Sequence, residues 1–548
     1  MDMRIAVIGA GPAGLTCAKQ ALERGHQAVV YERTADVGGI WNPASAGAYA
    51  SVRMQSSRMS FPYSDHPPAF AADFPTLAEV HGYLRSYAGE FGVLPVTRFG
   101  AEVRSVVKRD GRWQVTARSG AGQATEAFDA VMVASGELWE PRMPEHLPPT
   151  AAGVQVITAK DYRSPEPFAG RRVLVVGGGV SGADIAAELA AGGATVEWSV
   201  RHRALFLPRT VGGAYNDALF SYIGRVAMEE LPYRDFLARL EELEPRYFAM
   251  YRESGLLPTT GFHGAVHVND RIVPAVHRGD VRVRPAFERF EPQGSVVFAD
   301  GLRARYDTVV LCLGYGLPDY SFLPGLVREE LYEHFFPLAD PTLAIVNTPV
   351  DTEAFGTACP YFEAIAGWAL RVFEGTVALP EPAERARWCA EHMGRLGDRR
   401  YYDCWLETVR IGLLSGTVAD PAVDFAGFWR TVSAQVGPAG LRPGGPAQDA
   451  AVQDGLFDLA ELRLRLLAGL GEPVLAGLVA AGSVSTGDAR RARQVPAGRA
   501  IAPWLPYRQR GHAPVAARPA GTAAAADPVG VGTVGLGTVG LGTAEVAR

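Results

Sequence analysis

The sequence predicts an α/β protein with two dinucleotide-binding domains, a doubly wound Rossmann-like domain carrying a second Rossmann-like domain inserted within it, followed by a helical C-terminal extension. Two glycine fingerprints carry this prediction: Gly9-Ala10-Gly11-Pro12-Ala13-Gly14 and Gly177-Gly178-Gly179-Val180-Ser181-Gly182. Each follows a β-branched run, Arg4–Ile8 and Arg172–Val176, that reads as a buried parallel strand. A third observation frames the insertion. The segments Phe128–Gly136 and Tyr306–Tyr315 both read as apolar strands ending in a small-residue turn, as expected where the chain crosses between two such domains.

In each fingerprint the first glycine permits a tight turn, the second lets backbone approach a pyrophosphate, and the third lets helix pack on strand. The residues beyond Gly14 and Gly182 read as helices whose positive ends face the phosphates. A strand Ala28–Glu32 follows the first helix, and Glu32 stands 23 residues past Gly9, where an acid accepts ribose hydroxyls. With Arg33 next and Gly38-Gly39-Ile40-Trp41 after it, this first site reads as an FAD site. Gly136 and Gly314, at the two crossings, are expected to let backbone pass close to the cofactor.

The same count from Gly177 reaches Val200, between Ser199 and Arg201, with no acid there. A serine hydroxyl and an arginine fork would hold a 2′-phosphate that an acid would repel, so this site reads as one for NADPH. Its residues are Gly177, Gly179, Ser181, Gly182, Ala183, Asp184, Ser199 and Arg201. Without a nucleotide, Arg201, Arg203 and Arg209 read equally as an ordinary solvated basic edge.

The 548 residues suffice for two or three domains, and 48% hydrophobic with 20% charged residues describes a soluble globular chain. A net charge of -6 gives no sign of nucleic-acid binding, and no apolar run approaches the ~20 residues of a membrane span. The five cysteines, Cys17, Cys312, Cys359, Cys389 and Cys404, show no CxxC and no metal spacing. A flavin disulfide reductase needs a redox-active cysteine pair, so that class is disfavoured. The odd cysteine count and the absence of a signal peptide point to the cytoplasm.

Domain boundaries follow from these elements. Residues 1–160 and 306–375 are expected to form the FAD domain in two parts, and 161–305 the NADPH domain. Within the latter, residues 211–262 break the βα rhythm with helical periodicity at Phe236, Leu240 and Leu243. That insertion suits a cap over a substrate cavity or a packing element equally well. Residues 376–475 read as helical, with Leu459, Leu462, Leu466 and Leu470 on a face expected to pack on the core after a loop at Pro438, Pro443 and Pro446. The segment 476–548 reads as an Ala/Gly-rich tail, largely disordered, with Gly532–Leu536 repeated at Gly537–Leu541.

Over about residues 1–375 the chain resembles the flavin-containing monooxygenase family of N/S-oxygenating flavoproteins. The marks are the two fingerprints, Tyr31-Glu32-Arg33, Gly38–Trp41, Tyr49-Ala50-Ser51, Phe61–Asp65, Asp161-Tyr162, Pro165–Gly170, Val268-Asn269-Asp270 and Pro341–Ala344. The resemblance implies that NADPH reduces FAD, that reduced flavin captures oxygen as a C4a-hydroperoxide, and that a nucleophilic nitrogen or sulfur of a small molecule attacks it. It also implies that the family's asparagine beside flavin and nicotinamide aligns with Gln55, the candidate catalytic residue, followed by Ser56 in the cofactor site. Departures accompany the match. The signature FxGxxxHxxxY keeps Tyr162, but its histidine aligns with Thr158, its phenylalanine with Ala152, and Gly153 fits only with a one-residue shift. Ile365 and Leu313 replace a glutamine and a threonine, marking a specialised pocket.

The function expected is that of an NADPH- and oxygen-dependent FAD monooxygenase acting on an amine, or a sulfur compound, in specialised metabolism. Carbonyl insertion of Baeyer–Villiger type is disfavoured by Tyr162, since those relatives carry tryptophan there. A flavin-dependent amine oxidase is favoured if Gln55 and Leu313 fail to protect the oxygen adduct. The remaining alternative is a nucleotide-binding interaction protein without turnover.

Overall fold

The computed structural model describes residues 2–496, apart from residues 46, 149–152, 220, 229–230, 259–265, 348–351, 356–358, 394–399 and 434–456. Two five-stranded parallel sheets organise it. In the first, Arg4–Ile8 is central, with Gln27–Glu32 then Thr97–Phe99 on one side and Ala130–Val133 then Leu343–Ile345 on the other. Such strands are covered on both faces and so tolerate continuous apolar runs. Ile5, Ala6 and Val7 are fully buried, as are all four residues of Ala130–Val133.

The second sheet repeats the plan. Arg172–Val176 is central, flanked by Thr195–Ser199 then Val281–Arg284, and by Thr308–Leu311 then Gln155–Thr158. In both domains a three-stranded antiparallel meander, 102–128 and 287–304, precedes the strand that flanks the fingerprint strand. That flanking strand is Ala130–Val133 in the first domain and Thr308–Leu311 in the second.

This pairing moves the expected domain boundaries. Gln155–Thr158 and Thr308–Leu311, placed by sequence in the FAD domain, hydrogen-bond into the second sheet. The chain therefore crosses after Gly136 and again after Gly314, where both glycines take positive φ, 76° and 78°. The two crossings run side by side: Arg142 N–H donates to Gly314 O at 2.9 Å and Gly316 N–H to Glu140 O at 2.7 Å.

The helices also begin earlier than expected, at Pro12 and Val180, ahead of the last glycine of each fingerprint. Gly11 and Gly179 supply the extended residue before the first turn, and proline with its fixed φ suits that first position.

The insertion forms helices Tyr222–Met228, Tyr233–Leu243 and Pro245–Glu253. Phe236 and Leu240 are buried in the core of the second domain, whereas Tyr222 and Ile223 join the core of the first. Beyond it, helix Cys359–Phe373 packs between Pro12–Glu23 and Cys404–Ser415. Leu462 and Leu466 are buried in that same core, with Leu459 and Leu470 at its margin. The extension does not fade at residue 476: helices Glu472–Ala480 and Thr486–Ala492 continue it, the latter capped by Ser485. The proline loop, Ala152, the end of the insertion and the glycine repeat lie outside the described residues.

Candidate active site

The first fingerprint is built by contact between backbones. A Cβ on Gly9, whose φ is +103°, would lie 2.4 Å from Ala134 O, and one on Gly14 would lie 1.9 Å from Gly9 O. Gly11 meets only Gly39 at ordinary distance, leaving the ground above the helix end open. The motif Gly39-Ile40-Trp41 is thus folded against the fingerprint, as a short 3₁₀ turn held by Gly38 N–H on Ala10 O at 2.9 Å. No side chain caps the helix that starts at Pro12, and its first turn holds no acid, so its N–H groups remain available to phosphate.

Glu32 is buried at 6% exposure, one oxygen accepting Ala10 N–H at 2.8 Å and the other both the N–H and hydroxyl of Thr34. The carboxylate is oriented with acceptor capacity remaining for ribose hydroxyls. Beside it, the Arg33 guanidinium lies 4.2 Å from the centre of the Trp139 ring. Trp139, in the first crossing, carries no sequence motif. Ala13 is buried, Pro12 O accepts the Tyr63 hydroxyl at 2.6 Å, and Gly136 N–H donates to Asn347 Oδ1 at 3.0 Å. Gly314 lies exposed at the second crossing.

The second fingerprint reproduces the first. A Cβ on Gly177, φ +126°, would lie 2.1 Å from Cys312 O, one on Gly182 2.0 Å from Gly177 O, and one on Gly179 would meet nothing within 4 Å. The helix from Val180 is again uncapped, with Ser181 half-buried in its first turn and Ala183 packed in the core. Both cradles fit a pyrophosphate: close packing where backbone must pass backbone, and open space at the middle glycine.

Two residues assigned to this site face elsewhere. Ser199 is 1% exposed, and its hydroxyl donates to Pro285 O at 2.7 Å while accepting Phe287 N–H at 2.7 Å, so it stitches its strand to the chain leaving the neighbouring strand Val281–Arg284. Asp184 is buried inside the domain, accepting from Asn269 Nδ2 at 2.7 Å and from the Tyr49 hydroxyl at 3.0 Å. Burial raises its carboxyl above the usual range. Arg201, by contrast, is exposed in the loop beyond the strand. Arg209 is paired with Asp270.

Gln55 is half-buried in the loop that follows Tyr49, between buried Met54 and Ser56, and its amide makes no hydrogen bond to a described residue. Two departures from the family pattern pack against apolar clusters. Ile365 has no exposed surface, and Leu313 packs with the cluster of Leu174, Phe290 and Val309. Thr158 closes the turn after its strand, its hydroxyl donating to Asp161 at 2.6 Å. Tyr162 is wholly buried, 5.7 Å edge-on from the Tyr49 ring.

Behind the first cradle, a cavity of about 330 Å³ is bordered by Lys19, Arg24, Asp65, Glu363 and Arg371. Lys19 is ion-paired with Asp65 and with Glu23, and Glu363 accepts the N–H and hydroxyl of Ser64 at 2.9 and 3.0 Å. Burial pushes the Glu363 carboxyl up to about 8, reinforced by the charge of Asp65. Cys17, Cys312, Cys359 and Cys389 are free thiols. No described helix is long and apolar enough to cross a membrane.

Comparison with known proteins places this geometry. Residues 2–410 match the family described as flavin-binding monooxygenase-like. Flavin-containing monooxygenase 5 of Rattus norvegicus is 31% identical over 420 residues, covering 70% of this chain and 75% of the relative. Dimethylaniline monooxygenase [N-oxide-forming] 4 of the same species is 32% identical over 412 residues, covering 69% and 71%. Among solved structures, S-allyl-L-cysteine S-oxygenase from Allium sativum aligns with a TM-score of 0.52 at 23% identity, covering 72% of this chain and 82% of that one. Cyclohexanone monooxygenase aligns at 0.55 and 17%, covering 72% and 92%, and at such identities the likeness is one of fold. The chain belongs to the flavin-binding monooxygenase-like family, enzymes whose cofactors are FAD and NADPH.

Proposed function

We propose that this enzyme uses dioxygen to oxygenate a nucleophilic nitrogen, or sulfur, of a small molecule. The observation that carries the reading is the pair of matched cradles in one chain, one beside a ribose acid, Glu32, the other followed by the exposed Arg201. Bound FAD, reduced by NADPH, supplies the electrons that split dioxygen, one atom going to substrate and the other to water. The chain holds the pyrophosphates at Gly9–Gly14 and Gly177–Gly182, with Arg201 as the cation for the 2′-phosphate. Gln55 offers an unengaged amide donor and acceptor, while Ile40, Trp41, Met54 and Phe61 supply apolar surface against water. Nitrogen is put first because relatives at 32% identity are named for forming N-oxides.

The test is to reduce the purified yellow protein anaerobically with NADPH, then admit oxygen with a panel of tertiary amines and sulfides. Products gaining one oxygen atom, with little hydrogen peroxide released, support the reading. A second reading, peroxide release as an oxidase, is favoured by glutamine at position 55, whose extra methylene displaces the amide from where asparagine would hold it. Stoichiometric peroxide with every substrate would select it. A Gln55→Asn variant that lowers peroxide several-fold would tie the leak to that methylene.

A further inference from the structure

The loop that carries Gln55 belongs to the first domain, yet both of its ends are held by carboxylates of the second. At one end the Tyr49 hydroxyl donates to Asp184 Oδ2, and Ala50 N–H reaches Arg163 O at 3.2 Å. At the other, Asp217 Oδ2 accepts Ser57 N–H at 2.6 Å and the Ser60 hydroxyl. Asp217 stands in the inserted segment, in the 3₁₀ turn Asn216–Ala218, and is 5% exposed. The turn is itself tied down: Asn216 N–H donates to Arg209 O at 3.0 Å, and its side chain reaches the same carbonyl.

A buried carboxylate is costly unless hydrogen bonds compensate it, and bonds to a charged acceptor are short and strong. Asp217 bears that cost with one oxygen, Oδ1, without a hydrogen-bond partner among the described residues. Packing alone would be served better by an apolar side chain. The adjoining contacts point the same way: Tyr215, two residues before Asp217, donates to Asp73 at 2.6 Å and stacks edge-on with Phe74 at 5.6 Å.

We propose that Asp217 is a positioning residue, by which the inserted segment of the NADPH domain fixes the Gln55–Ser56 loop against the flavin site. Gln55 is then in register only while the two domains are docked, and the insertion serves as a brace between domains. This rests on the role given to Gln55 above. With Asp217 removed, cofactors still bind in their cradles, but the amide loses its place.

Hydrogen exchange and coupling of the FAD-loaded enzyme test this with Asp217→Ala and Asp217→Asn. In Asp217→Ala, amides of residues 52–60 are expected to exchange about tenfold faster while those of Pro12–Glu23 are unchanged. Anaerobic flavin reduction by NADPH should stay within about twofold of wild type, while peroxide released per NADPH rises about fivefold. Asp217→Asn should fall between, since its carbonyl still accepts Ser57 N–H. Wild-type exchange and coupling in Asp217→Ala would overturn the proposal, as would equal loosening of the whole second domain in both variants. Ser60→Ala removes one hydroxyl alone and carries the test if Asp217→Ala does not fold: faster exchange at residues 57–60 supports the brace, and unchanged exchange with unchanged peroxide rejects it. Failure of the functional reading is separate, because a wild-type flavin that NADPH does not reduce leaves the exchange comparison intact.

Discussion

The Tyr49 hydroxyl donates to Asp184 Oδ2 at 3.0 Å, joining a loop of the first domain to the fingerprint helix of the second across 135 residues of sequence. Asn269 at 2.7 Å and Arg271 at 3.4 Å both reach the other oxygen, Oδ1, so removing that bond leaves the buried Oδ2 without a donor among the described residues. Tyr49→Phe is therefore expected to cost about 2 kcal/mol in urea unfolding, the penalty of a buried acceptor left unsatisfied, without loss of FAD absorbance.

The glycines of each cradle separate folding from binding. Gly14→Ala would drive a methyl into Gly9 O at 1.9 Å, and Gly182→Ala into Gly177 O at 2.0 Å. The first is expected to yield protein without flavin, the second yellow protein that NADPH no longer reduces. Gly179→Ala meets no protein atom within 4 Å, so its melting temperature without nucleotide should match wild type. Its KM for NADPH should nonetheless rise roughly tenfold, because the methyl occupies phosphate space. Calorimetry and reduction kinetics on the three variants read these outcomes.

Arg201 and Ser199 make opposite predictions although they are two residues apart. Arg201→Ala should lower the preference for NADPH over NADH about 10- to 100-fold, the loss of a charge-assisted contact to a 2′-phosphate. Ser199→Ala should leave that ratio unchanged and lower stability, since its hydroxyl is engaged by Pro285 O and Phe287 N–H. The ratio of kcat/KM for the two nucleotides is the measurement.

Glu363 gives a dependence on pH. Its carboxyl titrates near 8 in the folded chain because burial disfavours the charge. Unfolded, it returns to the ordinary value near 4.3. The folded state therefore holds the proton more tightly: the contribution is fully present below pH ~4 and lost as pH rises towards 8. Glutamine mimics the protonated acid, so Glu363→Gln should melt near wild type at about pH 4 and progressively above it as pH rises to about 8.5. The difference between the two proteins across pH isolates this group from Glu79 and Glu197, both held near 2, whose contributions run the other way, present above the usual carboxylate range and lost in acid.

Much of this protein was legible in its residues. A strand apolar from its second residue onward, followed by three spaced glycines, has few other uses, because only glycine tolerates a carbonyl where Cβ would be. Arg4–Ile8 and Arg172–Val176 therefore announced both sheets, and Leu462 and Leu466 announced a helix returning to the core. The place of Glu32 at the end of the strand beside the first fingerprint was legible from its count. Ser199 was not, because the count places a residue at a strand end without saying which face of the sheet it takes; here it faces inward, towards Pro285.

The sequence by itself determined the two fingerprint strands, the helix that follows each and the place of Glu32 at the end of the strand beside the first, since these depend on residues a few positions apart on one strand and one helix. Only the tertiary structure decided to which sheet Gln155–Thr158 and Thr308–Leu311 belong, because strand pairing is set by hydrogen bonds between distant segments that share the same apolar composition. It alone brought Asp217 to Ser57 and Trp139 to Arg33. Neither pair shares a local spacing, so neither leaves a mark that can be read along the chain.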